Sequence, residues 1–329
     1  MAKTILPNSR VSPRFAGPCT FCRFPRFEDV APENQPLDWA IYGVPFDAGV
    51  TYRPGARFGP RSIREASQYV KPHHVEHAVN VCEVMSVADA GDAPISPYSL
   101  ESNVDAVHAF ARGLGAPTTR LMAVGGDHSI AYPNLWAAWE RAGEPDDGLA
   151  LIHFDAHLDT VDEVWGERWG HASPFRRAIE DGLVDARSML SIGVRGPLNR
   201  GDDLDFGRKA GITMISAEDL LDPLETQRRG PALARIDAFV RGLSGRPAYL
   251  TFDVDVFDPA FAPGTGTPCP GGLSPALGFA LLRRLKGINL LGADVVEVAP
   301  DRDASGVTAL LAGHVMLEIL ALDAVRRRG

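Results

Sequence analysis

The sequence has few cysteines and no excess of basic residues. Its 329 residues include four cysteines, too few in a chain of this length to indicate a disulfide framework. Cys19 and Cys22 form a single CxxC motif without the second pair that a structural zinc site needs, so we interpret them as unpaired thiols. The formal net charge is −9, whereas nucleic-acid-binding proteins usually carry a basic face. We therefore expect a small-molecule partner and no nucleic acid.

The sequence also shows no segment typical of membrane targeting. The first 15 residues contain no continuous apolar segment of the kind found in signal peptides. No stretch approaches the roughly 20 apolar residues of a membrane-spanning helix. These features predict a cytoplasmic protein that does not associate with a membrane.

What the sequence does contain is an alternation of apolar runs and segments with helical spacing. Residues 1–37 are rich in proline and lack periodicity, which indicates an N-terminal arm. Beyond this arm, seven apolar runs begin at Trp39, Leu121, Ala150, Met189, Ile212, Ala248 and Leu290. Runs that are apolar throughout and separated by helices indicate a parallel sheet covered on both faces. We therefore predict one α/β domain over residues 38–329.

Acidic residues and histidines follow four of these runs. They are Asp127 and His128 in GGDHS, Asp155, His157 and Asp159 in FDAHLD, Asp253 and Asp255 in FDVDVF, and Glu297 in VVEV. Each motif alone is compatible with a turn or a helix cap. In an open parallel sheet, however, ligands bind beyond the carboxyl ends of the strands. Motifs of this kind after several strands of one sheet predict a common site.

The charges in these motifs predict bound metal. About five carboxylates in one place repel each other strongly unless a positive charge neutralises them. The motifs contain no lysine or arginine, so a divalent cation is the natural compensation, and this many ligands indicates more than one. A ligand set rich in oxygen, with some histidine and no thiolate, suits Mn²⁺ and, less well, Ni²⁺, Co²⁺, Fe²⁺ or Zn²⁺.

The four motifs, in this order, resemble the signature segments of the ureohydrolase superfamily of arginases, agmatinases and related guanidino-acid amidinohydrolases. The segments are GGDHS, FDAHLDT, TFDVDVFDPAFAPGTGTPCPGG and DVVEVAP. Further segments that begin at Gly43 and Gly170 are similar to the agmatinase branch, so the resemblance spans roughly residues 15–325. It implies a catalytic domain with an arginase-like fold, a three-layer α/β/α sandwich around a central parallel sheet of about eight strands.

The resemblance also implies two divalent metal ions per chain, with Mn²⁺ expected first and Ni²⁺ or Co²⁺ as alternatives. The implied ligands are His128, Asp155, His157, Asp159, Asp253 and Asp255. His128 and Asp159 would bind one ion, His157 and Asp255 the other, and Asp155 and Asp253 both. Glu297 resembles the carboxylate that orients the guanidinium, and His171 resembles the histidine that supplies a proton to the departing amine. The implied reaction is hydrolysis of a guanidino compound to urea and an amine.

The substrate depends on the segment between Thr160 and Gly170, which we expect to overhang the mouth of the site. Its candidate substrate-binding residues are Asp162, Glu163, Trp165 and Arg168. The excess of acidic residues favours a cationic tail, as in agmatine, which would give putrescine. A guanidino acid of the guanidinobutyrase or guanidinopropionase type is an alternative, since Arg168 or Arg53 could pair a carboxylate. A compact guanidine or biguanide is a third.

Two further interpretations stay open. Ala172 follows His171 where the agmatinase-like pattern usually has glycine, which leaves room for a non-catalytic partner subunit. A histone-deacetylase-like zinc amidohydrolase would share the broad fold but need one metal, and the complete set of ligand positions counts against it. The family commonly forms trimers or hexamers, so we expect a homo-oligomer. A hetero-oligomer containing a paralogue is the alternative.

Overall fold

The computed structural model describes residues 3–328 and is built around a parallel sheet. The strands in this part of the chain are β1 (Trp39–Val44), β2 (His73–His74), β3 (Val79–Asn80), β4 (Val87–Asp92), β5 (Arg120–Gly125), β6 (Leu149–Phe154), β7 (Val184–Val194), β8 (Thr213–Ser216), β9 (Pro247–Asp253) and β10 (Asn289–Val296). Eight of them form one sheet in the order β4-β1-β5-β10-β9-β6-β7-β8, and every pairing within it is parallel. Strands β2 and β3 form a separate antiparallel pair.

Helices cover both faces of the sheet. They are α1 (Gly59–Ala66), α2 (Val81–Val84), α3 (Leu100–Gly113), α4 (Ala131–Arg141), α5 (Pro174–Glu180), α6 (Asp205–Ala210), α7 (Ala217–Leu221), α8 (Arg229–Gly242), α9 (Pro275–Arg284) and α10 (Val307–Arg328). Side chains of α1, α8, α9 and α10 share one apolar core with one face of the sheet, while those of α3, α4 and α5 pack on the other. The predicted three-layer α/β/α fold with eight parallel strands is confirmed.

The sheet's central strands form because both of their faces are buried. All six residues of β1 and all six of β6 are buried, so neither strand alternates between apolar and polar residues, although β6 includes the buried His153. Seven of the eight sheet strands match the predicted runs. The eighth, β4, is an edge strand with the sequence VADAGD, whose last two residues are exposed. It contains no continuous apolar run, which is why sequence patterning missed it.

Helix α10 is long and apolar enough to cross a membrane by length and composition, which the sequence analysis did not anticipate. However, 78% of its most apolar 18-residue window is buried inside the protein. It packs against α1, α2 and α9 and against β10. A helix that is apolar on all sides and surrounded by other elements is a core helix of the fold.

The N-terminal arm packs on the domain through three short 3₁₀ turns. Phe21, Cys22 and Phe24 of the arm are buried in the main core. Burial raises the pKa of the Cys22 thiol to about 12, and Cys19 is an exposed free thiol. The division at residue 37 stays a prediction, and its residues 1, 2 and 329 lie outside the described part of the chain.

One hydrogen bond joins the first strand to the last helix. Trp39 Nε1 donates to Asp323 Oδ2 at 2.9 Å, and both residues are buried. We predict that Trp39→Phe lowers the free energy of unfolding by about 1–3 kcal/mol, because a buried carboxylate loses a donor. Trp139→Phe is the matched control, since the half-buried Trp139 donates to Pro145 O at 3.2 Å. Urea unfolding measures both, and equal losses would show that the Trp39 bond has no special weight.

Candidate active site

The polar segments predicted to meet do so at the carboxyl edge of the sheet. Strands β5, β10, β9 and β6 are consecutive neighbours, so the segments that follow them are adjacent. The chain turns sharply there: Asp127 caps the 3₁₀ turn His128–Ile130, and Asp253 caps Val254–Val256. Asp159 and Glu297 have positive φ angles of 52° and 67°. Such conformations are costly for residues other than glycine and occur often at functional sites.

The first ligand cluster surrounds His128. Its Nδ1 atom lies 3.0 Å from Asp155 Oδ2, 3.0 Å from Asp159 Oδ2 and 3.5 Å from Asp253 Oδ2. This nitrogen is buried and forms no hydrogen bond of ordinary geometry. A buried nitrogen facing three carboxylates matches the donor arrangement of a divalent metal site.

The second ligand cluster surrounds His157. Its Nδ1 atom lies 3.3 Å from Asp155 Oδ1 and 3.0 Å from Asp255 Oδ2. The two oxygens of Asp155 therefore face different clusters, and this residue lies between two potential ion positions. All six predicted ligands are thus brought together, and the structure places Asp253 with the His128 cluster. The assignment of individual ligands to each ion stays a prediction.

Electrostatics in the two clusters are strained. Burial opposes ionisation of Asp155, but the nearby imidazoles of His128, His153 and His157 outweigh burial and hold its pKa well below the usual value. For Asp253, burial together with repulsion from Asp255 and Asp155 raises the pKa well above the usual value. Burial and the charge of Asp155 also raise the pKa of Asp255. The carboxylates cannot all be ionised without an added positive charge, and divalent cations fit this requirement.

His171 and Glu297 form a buried pair beside the clusters. His171 Nδ1 lies 2.8 Å from Glu297 Oε1, which also accepts a hydrogen bond from His128 N at 2.9 Å. Burial opposes protonation of His171, but the charge of Glu297 and the hydrogen bond to it outweigh burial and raise the pKa to about 9. Glu297 Oε2 is buried without a partner, so it can accept a further donor.

Thr51 contacts the other nitrogen of His171 and was not predicted. Thr51 N donates to His171 Nε2 at 2.9 Å, and the Thr51 hydroxyl lies 2.8 Å from the same atom. The amide supplies a donor for the neutral ring, and the hydroxyl can accept from the protonated ring. His171 Nε2 therefore has a partner in both protonation states, which suits a residue that transfers protons. Thr51 lies within the segment from Gly43 that is similar to the agmatinase branch, but no role was predicted for this residue.

Asp127 is the second residue whose place the sequence analysis left unassigned. Its Oδ2 accepts from Gly49 N at 2.8 Å, and Gly49 O accepts from His171 N at 3.0 Å. Burial and the charge of Glu297 raise the pKa of Asp127 to about 7. Asp127 thus anchors the loop that positions His171. The GGDHS motif contains this residue, so a signal was present.

A cleft of about 720 Å³ opens from His157, Asp159 and His171 to the surface. Glu163, Trp165 and Ala172 line it, whereas the predicted substrate-binding residues Asp162 and Arg168 are not among its lining residues. Asp162 instead lies close to three arginines, Arg177, Arg176 and Arg168. A second loop also lines the cleft, and sequence reasoning missed it. It contributes Pro197, Leu198, Asn199, Arg200, Asp203 and Leu204.

Comparison with known proteins gives the family. Residues 37–322 match the Arginase family, and the chain belongs to it. The chain is 42% identical to a guanidinopropionase of Pseudomonas aeruginosa, covering 94% of this chain and 93% of that protein. It is 36% identical to a mitochondrial agmatinase of Gallus gallus, covering 96% and 88%. The solved structure of proclavaminate amidino hydrolase from Streptomyces clavuligerus aligns with a TM-score of 0.85 at 35% identity, covering 96% of this chain and all of that one. The ureohydrolase resemblance is confirmed.

The repulsion around Asp253 predicts an unusual pH dependence of the metal-free protein. A carboxyl whose folded pKa is raised favours folding below its unfolded pKa of about 3.9, and that contribution is lost as the pH rises above it. We therefore expect the free energy of unfolding of metal-free Asp253→Asn to increase relative to that of the unmodified protein as the pH rises from 5 to 8. Urea unfolding after chelation measures this difference. The exposed Asp105→Asn is the control and should show no such trend; a flat difference for Asp253→Asn would contradict the repulsion.

Proposed function

We propose that this protein is a binuclear-metal amidinohydrolase that cleaves a guanidino compound to urea and an amine. The observation that carries the proposal is the placement of two carboxylate and imidazole clusters, joined by Asp155, beside the buried pair of His171 and Glu297. A cleft connects this arrangement to the surface. The Arginase family match supports the same reaction class.

Two divalent cations would be held by the six ligand residues around Asp155. When bound, they supply a Lewis-acidic centre and lower the pKa of a bound water towards neutrality. We propose Mn²⁺ because oxygen ligands outnumber nitrogen ligands, with Ni²⁺ and Co²⁺ as alternatives. The unpaired His128 Nδ1 and the crowded carboxylates support a site of this kind.

The protein's own residues orient the substrate and move a proton. Glu297 Oε2, buried and without a partner, would accept a hydrogen bond from a guanidinium N–H and fix its plane by a charge-assisted contact. His171 would give a proton to the nitrogen of the departing amine, since Glu297 favours the protonated ring. Thr51 would then stabilise the neutral ring through its N–H. A guanidinium carbon is a weak electrophile, so its hydrolysis depends on orientation of the guanidinium by Glu297 and on protonation of the departing amine by His171.

A guanidino acid is the substrate class that the cleft supports best. Arg200 lies on the wall of the cleft with 74% of its side chain exposed, in an ion pair with Asp202 at the surface. Arg195, on the same wall, donates to the backbone oxygens of Asp255 and Cys269 at 2.6 Å. Because the donors of Arg195 are already directed to backbone oxygens, Arg200 is the cation that can pair a carboxylate tail. The name of the guanidinopropionase, 42% identical to this chain, agrees with that preference.

Agmatine is the second candidate because Glu163 also lines the cleft and could pair a cationic tail. The agmatinase relative is 36% identical to this chain. Asp162 adds little to this case, since nearby arginines neutralise it. We also infer a cytoplasmic homo-oligomer, following the sequence and the family; both properties stay predictions.

The reaction is tested by urea release after reconstitution with Mn²⁺ and, separately, Ni²⁺ or Co²⁺. Substrates are 3-guanidinopropionate, 4-guanidinobutyrate, agmatine, arginine, guanidine and a biguanide. We expect urea from at least one of them and about two ions per chain by elemental analysis. Asp155→Asn should abolish both, because it removes the carboxylate shared by the clusters. Asp162→Asn, outside the cleft lining, is the matched control. Full activity of Asp155→Asn, or a metal-loaded protein that is inert on every compound, would refute the proposal.

The charge of the substrate tail is tested by removing, one at a time, a positive and a negative charge from residues that line the cleft. For a guanidino acid, Arg200→Gln should raise KM about fivefold, equivalent to about 1 kcal/mol, because an exposed ion pair is weak. Glu163→Gln should leave that KM unchanged or lower it. Steady-state kinetics with 3-guanidinopropionate and agmatine measure both. The reverse pattern, with only Glu163→Gln affecting KM and only for agmatine, would favour agmatine.

A further inference from the structure

Four polar residues form a row across the interior of the sheet, although the strands around them are apolar. They are Ser191 on β7, His153 on β6, Thr251 on β9 and Asp294 on β10, and each is fully buried. The strand register makes them direct neighbours: Ser191 pairs with His153, His153 with Thr251, and Thr251 with Asp294. Buried polar residues in a core are costly unless they are paired, so their grouping requires a physical reason.

The polar row lies directly beneath the ligand clusters. His153 and Thr251 precede Asp155 and Asp253 by two residues, so they point to the same face of the sheet. His153 Nε2 lies 2.9 Å from Asp155 Oδ2, and Thr251 Oγ1 lies 2.7 Å from His128 Nε2. Two members of the row therefore each contact one predicted metal ligand: His153 contacts Asp155, and Thr251 contacts His128.

The direction of the hydrogen bonds around Thr251 follows from its single hydroxyl proton. Thr251 Oγ1 donates to Asp294 Oδ1 at 2.5 Å, and Tyr249 Oη donates to Asp294 Oδ2 at 2.9 Å. Because the single hydroxyl proton of Thr251 is used in the hydrogen bond to Asp294, the Thr251 oxygen can only accept a hydrogen bond from His128. His128 Nε2 must then carry a proton, which leaves the lone pair of Nδ1 free in the neutral ring.

Asp294 accepts the hydrogen bond from Thr251 in a site that supplies a hydroxyl donor to each of its carboxylate oxygens. Burial raises the pKa of Asp294 above its usual value, and the charge of His128 and the hydrogen bonds from Thr251 and Tyr249 offset part of that increase. Both carboxylate oxygens have a donor, and the residue lies inside a strand with fixed register. The chain from Tyr249 through Asp294 to Thr251 is thus fully satisfied and rigid.

We propose that Thr251 and Asp294 are positioning residues that hold His128 in the tautomer protonated on Nε2, so that Nδ1 is the metal-binding atom. Nδ1 is the nitrogen that faces Asp155, Asp159 and Asp253. Partners of this type around metal-bound histidines raise metal affinity by fixing the ring and its tautomer. The inference rests on the proposed metal-dependent function and adds residues that do not touch metal or substrate.

Metal affinity of the full chain tests the proposal without relying on activity. Thr251→Val keeps the shape of the side chain but removes the hydroxyl, and Thr251→Ser keeps the hydroxyl. Titration calorimetry with Mn²⁺ on the metal-free proteins should show binding weakened about 10- to 100-fold in Thr251→Val and within about threefold of the original in Thr251→Ser. Thr4→Val is the matched control, since the buried Thr4 donates to Met85 O at 2.6 Å far along the chain from the ligands. It should leave Mn²⁺ affinity unchanged.

A spectroscopic measurement on the unmodified protein covers the case in which Thr251→Val does not fold. With ¹⁵N-labelled histidine and diamagnetic Zn²⁺ in the site, the shifts of the His128 ring report which nitrogen is protonated, and His128→Asn assigns the signals. We expect a protonated Nε2.

The outcomes separate this inference from the proposed function. If the unmodified protein binds no metal and releases no urea, the proposed function fails. If it binds two ions but Thr251→Val binds them equally well, or Nδ1 is the protonated atom, the positioning role is overturned while the proposed function stands.

Discussion

Mutual repulsion among buried carboxylates is the constraint on which the rest of this site depends. Asp155, Asp253 and Asp255 end adjacent strands at the same edge of the sheet, where burial alone disfavours their ionised forms. Histidines offset part of the cost, and His128 and His157 each approach Asp155 from a different side. The histidines do not offset all of the repulsion among the carboxylates. The free energy released when cations bind therefore includes relief of repulsion already present in the fold.

The sheet makes this concentration of charge possible because it is rigid where the ligands are attached. Asp253 is the last residue of β9 and pairs with Val296 of β10, and Asp155 directly follows β6, where its N–H donates to Ile192 O at 3.0 Å, so the sheet fixes the backbone at both residues. The polar row beneath them extends the same order one layer further into the core. Ligands at or just beyond strand ends, supported by partners on the strands themselves, are held in place before any metal binds.

Much of the fold and site could be predicted from the sequence because their signals are local. Apolar runs such as LALIHF are long enough to predict a buried strand, and acidic and histidine motifs after several strands of one sheet together predict a common site. The edge strand β4 was missed because its burial is partial and its composition is that of a loop. Arg200 was missed because nothing in its neighbours along the chain indicates that it lines the cleft, and Thr51 was missed because its contact with His171 forms only in the fold.

Asp162 shows the limit of counting charges along a segment. The excess of acidic residues between Thr160 and Gly170 suggested an acidic mouth, but Asp162 faces Arg177 and its neighbours and lies outside the lining of the cleft. Charge matters through the partners that surround it in space, and for a surface loop these partners come from other elements.

The loop tied by Asp127 has a consequence for how such an enzyme can diversify. His171 is held by its backbone contact with Gly49 and by Thr51, whereas the six ligands lie at or within a few residues of the ends of sheet strands. The ligands therefore depend on the sheet, whereas the loops over residues 160–170 and 197–204, which contribute most of the remaining cleft lining, lie beyond it. Insertions or exchanges in the walls can redirect the enzyme to a new guanidino compound while the inorganic chemistry beneath is inherited unchanged.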